Sequence, residues 1–148
     1  VQKTYRAIVH GVLPRRGTIE KPIGRKTGSV KQSVYSKGAQ KEAVTAYERI
    51  GAYRNERGDE FSLVLAYPKT GRTHQIRVHL AAIGHPVVGD RLYAGKKRAH
   101  AAPRQMLHAE SIEFTDETGQ AIRIAAEPPA DFAEYLGALK AMFADIDG

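Results

Sequence analysis

Between Thr70 and Asp90 the sequence reads TGRTHQIRVHLAAIGHPVVGD. Two arginines, three histidines and a helical run of apolar residues are concentrated there. Such a stretch has three uses. It can carry catalytic groups, it can present a basic helix to phosphate, or it can be a capped surface helix with no chemistry.

The histidines do not have the spacing of metal ligands. His74 and His79 are five residues apart and His85 lies beyond the apolar run. Paired ligands on a helix favour positions i and i+4. No acidic residue stands between Thr70 and Pro86 to join them. No metal site is expected, and the histidines are expected to be hydrogen-bonded near the helix surface. Nor does the chain hold G-x-S-x-G, G-x-x-x-x-G-K-[ST] or G-x-G-x-x-G, so no nucleotide cofactor is expected.

The arginines say more. Arg72 lies at the start of the run, where free backbone N–H groups and the helix dipole favour an anion. Arg77 follows Thr73 by one turn and shares a face with Thr73 and Leu80. An arginine close to the core side needs a carboxylate, because an unpaired buried charge is expensive. Asp90 is a candidate, although nothing in the sequence places it there. A solvent-exposed ion pair is the alternative.

The elements around the stretch decide how these groups are held. Ile76, Leu80 and Ile83 recur on one helical face. Thr73 is the expected N-cap, Gly84 follows as a C′ residue and Pro86 stops the chain. The spacing predicts a helix over 74–83. Upstream, KTYRAIVHGVL alternates as a strand, closed by Gly11 and Pro14. Residues 14–40 read as a long basic loop with short extended pieces. EAVTAYERIGAY and FSLVLAYP predict an antiparallel hairpin about a Gly58-Asp59 turn, with Val44, Ala46 and Glu48 on one side of the first strand. GDRLYAGKKRAHAAPR reads as a basic loop. MLHAESIEFT and AIRIAAE predict a second hairpin. Phe132, Leu136, Leu139 and Phe143 predict a closing amphipathic helix through ADFAEYLGALKAMF. Hairpins dominate and no linker divides the chain. The expected class is therefore α+β in a single domain over 1–148, a mainly antiparallel mixed sheet flanked by helices.

A chain of 148 residues with 42% apolar content can bury one core. It has no cysteine, which excludes disulfides, zinc fingers and thiol nucleophiles. It carries no signal-peptide pattern and no apolar run of the ~18 residues that span a bilayer. A cytoplasmic setting without membrane contact is expected. The charge is strongly polarised. Residues 1–37 hold nine basic side chains against Glu20, whereas residues 110–148 hold Arg123 and Lys140 against nine acidic ones. One face of such a molecule suits a polyanion, with RNA or DNA the obvious candidates.

GRTHQIRVHL, followed by GHPVVGD and LHA and preceded by KTYRAIVHG, resembles the C-terminal half of the RluA/RluD family of pseudouridine synthases. The blocks keep the family's order from Lys3 to Ala109. The resemblance implies a synthase catalytic core that isomerises uridine to pseudouridine in structured ribosomal or transfer RNA. It implies no cofactor, no metal and no DNA partner. The target base is flipped out of its stack, and an aspartate attacks the ribose or the base. By motif, Tyr5 is the active-site tyrosine that stacks on the target base. Arg77 is the partner of the catalytic aspartate, since a guanidinium fork holds a carboxylate ionised and aimed. Arg72, Thr73, His74 and Gln75, with Arg25 and Lys26 of the basic loop, are implied to contact RNA.

The family's aspartate belongs to a His-Arg-Leu-Asp segment upstream of the first strand, and this chain has none. Asp59, Asp90, Asp116, Asp131, Asp145 and Asp147 do not match it. With its strand-like opening at Val1, the chain reads as the C-terminal portion of a catalytic domain. The missing N-terminal half is its expected partner, and its absence is expected to leave sheet edge and apolar surface uncovered. The fragment alone is expected to be inactive. The alternative is a non-catalytic RNA-binding module that kept the fold. A DNA-binding domain is a weaker reading, because the helix lacks a partner at helix-turn-helix spacing.

Overall fold

The computed structural model of the chain describes residues 1–25, 31–35 and 39–144. Among these residues ten strands and two helices follow one another. The strands are β1 (Gln2–His10), β2 (Arg16–Glu20), β3 (Ile23–Arg25), β4 (Gln32–Ser33), β5 (Gln40–Lys41), β6 (Val44–Arg54), β7 (Glu60–Pro68), β8 (Leu107–Thr115), β9 (Ala121–Ala125) and β10 (Lys140–Ala144). Helix α1 (Gln75–Ala82) lies between β7 and β8, and α2 (Ala130–Gly137) between β9 and β10.

A seven-stranded sheet runs in the order β10-β6-β7-β1-β8-β9, and β2 shares the outer edge of β6 with β10. A small second sheet has the order β4-β3-β5. Every pairing among the described residues is antiparallel, so the architecture is α+β as expected, without parallel pairs in its sheets. Both expected hairpins form, as β6–β7 and β8–β9. β1 is central, and its Ala7, Ile8 and Val9 are wholly enclosed. Leu80, Val87, Val88 and Met106 join them in the core. On β6 the more buried side is that of Thr45 and Tyr47, opposite Val44, Ala46 and Glu48.

Two boundaries differ from the sequence reading. Helix α1 begins at Gln75, and Thr73 does not cap it. The cap position is taken by His74 in the left-handed conformation, φ 54°, with no side-chain cap bond. The amide of Gln75 takes over, its Oε1 accepting from Arg72 N–H at 3.0 Å and the Thr70 hydroxyl at 2.7 Å. Gly84 does follow the helix with positive φ. The closing helix is shorter than expected. It ends at Gly137, and Lys140–Ala144 instead pairs with the end of β6. Phe132 anchors α2 in the core, whereas Phe143 is exposed beside the Arg49 guanidinium.

Candidate active site

Tyr5 and Arg77 line one cleft of about 290 Å³, together with Lys3, Arg72, His74 and Gln75. The sheet explains the tyrosine's position. Tyr5 pairs with Ala66 on β7 and Ala109 on β8, so small side chains flank it on both sides. The register slips beside it, since Thr4 pairs with Ser111 while Tyr5 pairs with Ala109. Glu110 is therefore the extra residue of a bulge, a device that re-aims a neighbouring side chain. Arg6 pins the bulge, its Nε donating to Glu110 Oε1 at 2.8 Å.

Arg77 projects from the first turn of α1 and meets Asp90 side-on. Its Nε donates to Oδ2 at 2.7 Å and its Nη2 to Oδ1 at 2.8 Å. Asp90 is fully enclosed and the Arg77 side chain is 13% exposed, so this is a buried pair and not a surface one. The bond to Asp90 pushes the Arg77 guanidinium above its ordinary value. Asp90 Oδ1 also accepts the backbone N–H groups of Leu92 and Tyr93, at 3.0 and 3.2 Å. The carboxylate thus receives four donors, and a saturated, buried carboxylate is a fixture and not a nucleophile. The side-on contact occupies one edge of the guanidinium. The end-on edge, one N–H from each Nη, has no partner among the described residues. Its geometry matches a second carboxylate.

Gly89 makes this turn possible. Its φ is 79°, and an added Cβ would strike the carbonyl of Arg104.

Tyr93 was not singled out in the sequence, where it lies in an aperiodic basic loop. It sits under the Arg77 guanidinium, 5.2 Å from ring centroid to Cζ. Its hydroxyl accepts Gln32 N–H at 2.9 Å and lies 2.8 Å from His74 Nδ1. The three-residue spacing from Asp90 to an aromatic side chain was the only sequence signal.

The other sequence-derived residues separate into two groups. Arg72, His74 and Gln75 border the Tyr5–Arg77 cleft. Thr73 and Arg25 border an adjacent depression of about 530 Å³, with Arg72 and Gly71 common to both. Arg72 Nε donates to the Glu42 carbonyl at 2.8 Å, which holds it across the joint. Gln75 is buried, and its amide is spent within the protein, Nε2 donating to Val44 O and Thr45 Oγ1 at 2.9 Å each. It shapes the loop and leaves no side-chain donor for RNA. Lys26 lies outside the described residues. His79 is wholly enclosed between Thr45 Oγ1 and the Lys21 carbonyl, deeper than the surface position expected for it. Burial lowers its pKa. His85 bonds the His10 carbonyl.

Among the described residues no aspartate or glutamate lines the Tyr5–Arg77 cleft. Asp59 borders a cleft beside His10, Asp131 is held by Arg104, and Asp116 closes the β8–β9 turn. No three His, Asp or Glu side chains among the described residues converge as for a metal. No helix among them is long and apolar enough to cross a membrane.

The profile of the RNA pseudouridylate synthase family matches residues 1–82. Ribosomal large subunit pseudouridine synthase D of Haemophilus ducreyi is 34% identical over 95% of this chain and 45% of its own length. The RNA pseudouridine synthase YhcT of Bacillus subtilis, itself uncharacterized, is 41% identical over 88% of this chain and 42% of its own. The chain thus spans less than half the length of these relatives. The solved structure of human RNA pseudouridylate synthase domain containing 1 superposes with a TM-score of 0.85, at 30% identity. That match covers 99% of this chain and 62% of the human one.

Proposed function

The chain belongs to the RNA pseudouridylate synthase family, and we propose that it supplies the tyrosine and arginine side of an active site that converts uridine in RNA to pseudouridine. One observation carries the reading. Arg77 is locked by the enclosed Asp90, its end-on edge has no partner among the described residues, and it lines the cleft that Tyr5 borders.

In this reaction the N1–C1′ bond breaks, a C5–C1′ bond forms, and the proton lost from C5 is balanced by one gained at N1. The nucleophile is an aspartate from a segment outside this chain, aimed by Arg77. The guanidinium keeps that carboxylate ionised at neutral pH. Asp90 would compete for the same positive charge, but two backbone N–H groups help disperse its own. Tyr5 stacks on the flipped base. Arg72, Thr73, His74 and Arg25 track the RNA backbone along the two joined depressions. Ribosomal or transfer RNA is the substrate class, met in the cytoplasm. The outermost strand, β9, is largely exposed, with Ile124 57% accessible, which supports packing of further polypeptide there.

That no carboxylate among the described residues lines the cleft favours one competing reading, a module that binds RNA without changing it. Tritium release from RNA labelled at uridine C5 separates the two, measured with the full-length protein carrying this chain. Release supports the enzyme. Binding without release leaves the module.

A further inference from the structure

We propose that Tyr93 is a positioning residue that fixes His74 as a neutral imidazole with its Nε2–H turned to the substrate cleft, where it donates to a substrate oxygen. The proposal rests on the functional reading above for its substrate, and on geometry for the rest.

The donor count sets the tautomer. Tyr93 Oη accepts Gln32 N–H, a bond with only one possible direction. Its own proton needs an acceptor, and among the described residues His74 Nδ1 is the one within reach. If Nδ1 carried the proton instead, the phenol hydrogen would be left unspent in a half-buried place. With Tyr93 donating, Nδ1 is the acceptor and the ring proton must sit on Nε2. Nε2 has no partner among the described residues, and His74 lines the cleft with Tyr5 and Arg77.

The backbone points the same way. His74 is the one non-glycine with positive φ among the described residues. A left-handed histidine with no capping bond is held by its surroundings, and such strain gathers at functional positions. Charges agree as well. Burial and the nearby Arg77 lower the His74 pKa, although Asp90 opposes this, so the ring stays a neutral donor. The same phenol joins the small basic sheet, through Gln32, to the ring stacked beneath Arg77. One side chain therefore ties the RNA-facing depression to the reacting one.

The test uses the full-length protein labelled with ¹⁵N-histidine, the His74 signals being identified by their loss in His74→Gln. The wild type is expected to show an Nε2–H tautomer that remains neutral below the ordinary histidine range. Tyr93→Phe keeps the ring under Arg77 but removes the bond that stabilises neutral His74. It is expected to mix the tautomers, raise the His74 pKa and cut kcat about tenfold with RNA affinity unchanged. In a His74→Ala background Tyr93→Phe is expected to cost nothing further. An Nδ1–H tautomer in the wild type would overturn the proposal, as would full additivity of the two substitutions. The tautomer is read without turnover, so a protein that fails to isomerise uridine would defeat the functional reading and leave this result standing.

Discussion

The carboxylate of Asp90 grips the side-on edge of Arg77 at 2.7 and 2.8 Å while two backbone N–H groups hold the same carboxylate from behind. The arginine is thereby fixed before any substrate or further carboxylate arrives. Removing one partner strands the other charge in the interior. Asp90→Ala is expected to cost about 3–5 kcal/mol in urea unfolding. A loss under 1 kcal/mol would show that the pair is not structural.

The turn that carries Asp90 has its own requirement. Gly89→Ala puts a Cβ against the Arg104 carbonyl at positive φ. The backbone term alone costs about 1–3 kcal/mol. The midpoint of denaturation is expected to fall clearly, whereas Gly58→Ala, also at positive φ but with open space around it, loses only its backbone share.

RNA contact is expected from Arg72 and Arg25 rather than from Gln75. Neutralising either arginine is expected to weaken RNA binding and lower the slope of log K against log salt by about one. Gln75→Ala is expected to act through stability, since its amide bonds only protein groups. A salt slope unchanged by Arg72→Ala would remove that residue from the RNA path.

His10 sets a dependence of stability on pH. Burial and the neighbouring Arg98 lower its pKa to about 4, with Asp59 opposing, and its Nε2 is buried without a partner. The unfolded chain takes up this proton near 6.5, the folded one only near 4. The unfolded state therefore binds more protons between those values, and stability is full above pH 6.5 and drains away as pH falls toward 4. The loss is up to about 3 kcal/mol. His10→Phe is expected to flatten this slope, as measured by denaturation from pH 4 to 7. An unaltered slope would assign the effect to other groups, such as His79.

Much of this was legible where local periodicity and tertiary packing agree. Ile76 and Leu80 fall on the buried side of α1, and β1 and the two hairpins form where the sequence places them. The alternation read in β1 is not kept, because Ala7 to His10 are buried on both faces at the centre of the sheet. The failures lie where distant groups decide. Phe143 continues the helical spacing of Phe132 and Leu136, but the free edge of β6 offers backbone partners that end the helix at Gly137. Thr73 has the right chemistry for a cap, yet the Gln75 amide bonds the loop first. Asp90 lies thirteen residues after Arg77, and only the positive φ of Gly89 brings it under the helix. Tyr93 carried no periodic signal at all, since its partners lie in the small sheet and at the helix start.

The most direct test of the account measures turnover and RNA affinity together in the full-length protein and its Arg77→Lys variant. Lysine keeps the charge but loses the fork that holds Asp90 on one edge and the incoming carboxylate on the other. The account predicts that tritium release from C5-labelled uridine falls by about 10²–10³ or more while RNA affinity stays nearly the same. Parallel loss of affinity and turnover would contradict it, and would make Arg77 one more contact to the RNA backbone.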